Sequence, residues 1–118
     1  MAKPDAESEF VDYLLDLMQT IGPVTARRMF GGHGIFLDGL MFALVADSTL
    51  YLKADAQSAD AFTVQGLEAF TYSRQGKPFS MSYFQAPEAC LEDADVMNLW
   101  ANRAYEAAMR AAARKRRR

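Results

Sequence analysis

Three observations predict an α+β fold, a two-layer sandwich of antiparallel sheet and helices. Stretches with helical apolar spacing stand at the two ends of the chain. Between them, short apolar runs are separated by tight-turn signals. Those runs read as antiparallel hairpins with helices on one face, which makes a sandwich the natural packing. The expected order is α-β-β-β-α-β-β-α.

Taken in order, Asp5 to Thr20 reads as an amphipathic helix. Phe10, Leu14, Leu17 and Ile21 recur at three- and four-residue steps, and Val11, Leu15 and Met18 widen the stripe. Acids crowd its first half, where the helix dipole favours negative charge, and Gly22-Pro23 ends it. A meander of three strands follows. Asp38-Gly39 is the clearest hairpin signal, because a type I′ turn requires positive φ at both central residues. With that turn, Leu37 is expected opposite Leu40, Ile35 opposite Phe42 and His33 opposite Leu44 on one side. Phe36 opposite Met41, Gly34 opposite Ala43 and Gly32 opposite Val45 fall on the other. Glycines there mark either a bulge or a close approach to the backbone.

A turn near Asp47-Ser48 leads to a third strand at Leu50–Lys53, and Ser58 stands where it can cap a short helix ending at Gly66. Phe70–Tyr72 and Phe79–Phe84 are expected as a second hairpin around a polar loop at 73–78. The last helix begins around Asp93, with Met97, Trp100, Ala104, Tyr105, Ala108 and Met109 as its stripe.

At 118 residues with 51% hydrophobic side chains, the chain is long enough and apolar enough for one folded domain. One cysteine excludes an internal disulfide, and no Cys/His cluster has zinc-ligand spacing. No signal-peptide pattern opens the sequence, and no apolar run approaches the roughly 18 residues of a membrane span. A cytoplasmic protein that makes no use of membranes is expected.

The search for chemistry finds little. Gly31-Gly32-His33-Gly34 is not a phosphate loop, because strand sequence follows it where Lys-Ser/Thr and a helix are required. His33, the only histidine, has apolar neighbours across the hairpin and reads as a structural residue more than a general base. Cys90 lies between Glu88 and Glu92, which disfavour a thiolate. The carboxylates sit mostly at helix starts and turns. No catalytic residue, metal site or cofactor is expected, and the chain is read as a non-enzyme.

Two basic features remain as candidate binding residues. Arg27 and Arg28, with His33, could meet an anion or a partner. The chain has 13 basic and 15 acidic side chains, yet its last five residues are all basic. Residues 1–113, taken as the single domain, therefore carry 15 acids against 8 basic groups, and 114–118 form a cationic tail. Arg114, Lys115, Arg116, Arg117 and Arg118, with Arg110 one turn earlier, are candidates for salt-dependent contact with nucleic-acid phosphates. No aromatics are interleaved with them, so base stacking by the tail is not expected.

The string Arg27-Arg28-Met29-Phe30-Gly31-Gly32, then Gly34, Phe36 and Asp38-Gly39, resembles the N-terminal domain of TfoX/Sxy proteins. So do Met41–Asp47, Leu50–Lys53, Met81-Ser82-Tyr83 and Pro87-Glu88, and the resemblance runs from about Phe10 to Ala112. It implies a compact domain like the small secretion-chaperone folds, of bacterial origin. It also implies a part in regulating natural competence and DNA transformation, by assisting the cyclic-AMP receptor protein at promoters. No catalytic residue or cofactor comes with it. Family members of full length add a C-terminal helical domain, so this sequence is expected to be a stand-alone N-terminal domain. Its expected function is transcriptional regulation through protein–protein contacts, with weak non-specific DNA contact by the tail. The alternative is a small homodimeric, chaperone-like interaction module without a nucleic-acid role.

Overall fold

The structure, a computed structural model, describes residues 6–29 and 31–116. Helix α1 (Ala6–Leu17) is followed by a short 3₁₀ turn (Gln19–Ile21) and then four strands: β1 (Thr25–Met29), β2 (Gly32–Leu37), β3 (Leu40–Ala46) and β4 (Thr49–Lys53). Helix α2 (Ala59–Thr63), strands β5 (Ala69–Arg74) and β6 (Lys77–Gln85), a 3₁₀ turn (Glu88–Leu91) and helix α3 (Ala94–Arg116) complete the chain. Among the described residues the strands form one antiparallel sheet in the order β1-β2-β3-β4-β6-β5. The α+β class is as the sequence predicts. The first strand of the expected meander is divided in two, with β1 folded back on β2 as the sheet edge.

Three two-residue turns shape the hairpins. Asp38 and Gly39 both have positive φ (50° and 79°), as the type I′ reading requires. Asp47-Ser48 (51° and 55°) and Gln75-Gly76 (54° and 78°) repeat the geometry. The expected six-residue loop at 73–78 is therefore only two residues long. Pro78 is tolerated inside β6 because β4 pairs with β6 only at Tyr83–Gln85, so one side of the strand is unpaired at Pro78.

The β2–β3 register follows the expected pairing for two positions, Leu37 with Leu40 and Phe36 with Met41, and then shifts. Beyond a bulge, Ile35 pairs with Ala43, Gly34 with Leu44 and His33 with Val45. The bulge turns Phe42 and Ala43 both toward the helices, and both are completely buried. Phe42 meets Tyr105 of α3 edge-to-face at 6.0 Å.

The three helices lie on one face of the sheet. Leu14 and Met18 from the first helical segment, Ile35, Phe42, Val45 and Leu52 from the strands, and Met97 and Ala101 from α3 form the fully buried centre. Phe62 of α2 joins Trp100 and Phe84 in a ring cluster with centroids 5.1 and 5.3 Å apart. Asp93 caps α3, its carboxylate accepting from the backbone N–H of Asp95 at 2.8 Å. Ser58 does not cap α2; its hydroxyl donates to Asp55 instead.

Candidate functional site

The helix-free face of the sheet and the basic end of α3 carry the candidate residues. None of the six strands contains Asp or Glu, although the chain has 15 of them. The acids occupy helices, turns and loops. Arg27, Arg28, Lys53, Arg74 and Lys77 stand in the strands, so the charged residues of the sheet are all positive while the helices carry both signs.

Alternation places Arg27 and Arg28 on opposite faces of β1. Arg27 lies on the open face with its guanidinium 4.6 Å from the centre of the Phe36 ring. A shallow groove there is lined by Thr25, Ala26, Arg27, Phe36 and Gly39. Arg28 stands opposite His33 in register, on the helix side. His33 is buried, and its Nδ1 lies 3.0 Å from Oε1 of Glu7 in α1. The expected Leu44 neighbour is replaced by Val45, because the bulge moves the register by one. The three candidates for anion or partner contact thus do not converge on one site: Arg27 faces away from the other two.

The glycines of the motif have steric reasons. A Cβ on Gly32 would stand 2.1 Å from the Val45 carbonyl oxygen, and one on Gly34 would stand 2.5 Å from Met29 Sδ. Gly34 is a floor on which the Met29 and Met41 sulfurs and the Phe36 ring lie. Gly31 has φ 73° in the turn between β1 and β2. Phe30 lies outside the described residues. Farther along the open face, Tyr51 packs against Phe70 (5.0 Å) and Phe70 against Tyr72 (6.2 Å). Tyr83 reaches across to donate to the Met41 carbonyl at 3.3 Å, and burial pushes its hydroxyl up to about 12.

The second region is built on Asp55, just after β4. Its carboxylate, 4% exposed, accepts from Arg110 Nε at 2.6 Å and from a terminal guanidinium nitrogen at 3.0 Å. The hydrogen bond from Arg110 holds the Asp55 carboxyl down at about 2; burial opposes this, and the Ser58 hydroxyl assists. Arg110, a candidate for phosphate contact, is thus bound within the domain. Arg114 lies 3.8 Å from the same carboxylate, with its side chain 60% exposed. The helix continues through Arg116, so the expected boundary at 113/114 falls inside α3; Arg117 and Arg118 lie outside the described residues. Lys53 donates to the Ser82 hydroxyl at 2.6 Å. Burial lowers its ammonium pKa; the Asp55 charge opposes this, and Lys115 and Arg114 add to it. Lys53 thus feels charges of both signs from this region, Asp55 on one side and Lys115 and Arg114 on the other.

Cys90 is fully buried, and burial raises its thiol to about 11, which leaves almost no thiolate near neutrality. A cleft lined by Phe10, Ser48, Leu50, Gln85 and Glu88, among others, contains none of the candidate residues.

Among the described residues the structure is a one-sided antiparallel sheet, with helices on one face and no carboxylate in its strands. The profile of the TfoX N-terminal domain matches residues 16–108, and the chain belongs to that family. It is 30% identical to protein Sxy of Escherichia coli K12 over 74 residues, which is 63% of this chain and 35% of that protein. It is 32% identical to the DNA transformation protein TfoX of Haemophilus influenzae over 82 residues, 68% of this chain and 38% of the relative. With TfoX1 of Aliivibrio fischeri, also named a DNA transformation protein, identity is 28% over 81 residues, 69% of this chain and 39% of the relative. The aligned part is thus little more than a third of these relatives' length. No helix among the described residues is long and apolar enough to cross a membrane.

Two features of the candidate regions escaped the sequence reading. The Asp55–Arg110 clamp joins residues 55 positions apart, and no local pattern links them. The aromatic row on the open face depends on β6 inserting between β4 and β5, which the order of strands in the sequence does not reveal.

Proposed function

We propose that this domain is a non-enzymatic regulatory module of the TfoX/Sxy kind, acting in the cytoplasm through a protein partner in transcription while the end of α3 touches DNA phosphates. The partner indicated by the family resemblance is the cyclic-AMP receptor protein. The observation that carries the reading is the construction of the basic helix end. Asp55 fixes Arg110 by two hydrogen bonds, and beyond it Arg114, Lys115 and Arg116 stand exposed on a continuing helix in an acidic chain. Cations held on a rigid element meet a polyanion with less ordering cost than a free tail does.

Fluorescence anisotropy of a labelled duplex tests this, using the intact protein and the Lys115→Ala/Arg116→Ala variant at low and moderate salt. Binding should weaken with salt, by a log–log slope of roughly 0.9 per phosphate contacted, and the variant's slope should fall by about 2. No duplex binding by the intact protein at low salt would remove DNA from its function and leave protein contact alone.

A further inference from the structure

The open face of the sheet has a chemistry that duplex contact at the helix end does not use. Tyr51, Phe70 and Tyr72 form a row of rings, the first pair edge-to-face and the second near-parallel with 19° between planes. Tyr72 is 38% exposed. Cations lie against ring faces at two places, Arg27 over Phe36 at 4.6 Å and Lys53 over Tyr83 at 5.2 Å. No strand contributes a carboxylate to either face. Rings and cations from strands that carry no carboxylate complement a ligand with both flat π-faces and repeated negative charge; Asp55, whose charge acts on Lys53, lies beyond β4 and is paired with Arg110.

We propose that this face binds single-stranded nucleic acid, with bases stacking on the Tyr51–Phe70–Tyr72 row and phosphates held by Lys53 and Arg27. Base stacking on aromatics beside a cationic track is the general means of binding single strands without sequence preference. Open antiparallel sheets present such rings well, because alternate residues of neighbouring strands share one face. A duplex does not fit, since its base faces are already stacked on one another. An acidic protein segment would satisfy the cations and leave the row of rings unused. The aromatic row is separate from the residues assigned to duplex contact, so the two assignments fail independently.

The test uses anisotropy of a labelled short oligothymidine with the intact protein, Phe70→Leu, Tyr72→Ala, Tyr72→Phe and Lys53→Gln, all checked for folding by circular dichroism. Phe70→Leu and Tyr72→Ala should each weaken binding about five- to tenfold, the lower part of the range for loss of one stacked base. Tyr72→Phe should restore it, and Lys53→Gln should reduce the salt slope by roughly 0.7. The Lys115→Ala/Arg116→Ala variant should keep the dependence on Phe70 and Tyr72. Three results overturn the proposal. One is no binding at low salt. A second is affinity indifferent to both aromatic changes but abolished by the helix-end variant. The third is displacement of the oligonucleotide by a poly-glutamate peptide as readily as by unlabelled oligothymidine, which would assign the face to an acidic protein.

Discussion

Replacing Asp55 with asparagine keeps the side chain's size and removes its charge. The native carboxylate accepts two hydrogen bonds from Arg110 and one from Ser58, and its own oxygen also receives the backbone N–H of Gln57 at 3.1 Å. Its pKa falls from the ordinary 3.8 to about 2, which at 1.36 kcal/mol per unit corresponds to about 2.5 kcal/mol of folding free energy. Arg110 is 31% exposed, so solvent screening reduces this to roughly 1–2 kcal/mol. Because the folded pKa is depressed, the contribution is fully present above the unfolded value near 3.8. It is lost as pH falls toward 2. Urea unfolding of the wild type, Asp55→Asn, Arg110→Gln and the double variant should give a coupling of about 1–2 kcal/mol at neutral pH. The wild type's advantage over Asp55→Asn should shrink between pH 4 and pH 2. A neutral-pH loss under about 0.5 kcal/mol, the level of an ordinary surface change, would refute the clamp. So would an advantage that does not change across that acid window.

Other expectations follow from single contacts. Gly32→Ala should destabilise by about 3 kcal/mol or more in urea, because its Cβ would meet the Val45 carbonyl oxygen at 2.1 Å and backbone must move. Gly34→Ala should cost less, since the Met29 and Met41 sulfurs ahead of it are ends of flexible side chains; equal losses would contradict this steric account. Cys90 should resist a thiol reagent at pH 8 in the native protein and react on addition of denaturant, and rapid native labelling would disprove its burial. Glu7→Gln should cost on the order of 1 kcal/mol by weakening the partly buried contact with His33, measured by thermal unfolding.

Much of the fold was legible because local chemistry determined it. Asp38-Gly39 gave its turn, the Leu14 and Trp100 stripes gave their helices, and Asp93 marked the start of α3. The shifted register was not read, although four successive buried residues at Phe42–Val45 break the alternation expected of a two-faced strand. Strand β1 was hidden by its composition. Thr25-Ala26-Arg27-Arg28-Met29 has little apolar alternation, as suits an edge strand that charge protects from pairing with other chains. Gln75 entered the left-handed region without an Asn or Asp to announce a tight turn. Of the candidate site, the basic residues of α3 were plain in composition, but their division between Arg110, bound to Asp55, and the exposed cations beyond it is a tertiary property. Glu7 read as one of several acids favoured by the helix dipole; its contact with His33 depends on how α1 lies across the sheet.

The most direct measurement is the affinity of the cyclic-AMP receptor protein for a labelled promoter duplex, by anisotropy, with and without a saturating amount of this domain. A regulatory module that contacts both protein and DNA should tighten that affinity by at least about fivefold, the lower end of usual coupling between sites. The gain should decline in the Lys115→Ala/Arg116→Ala variant. Superimposable titrations with and without the domain would contradict the proposed function.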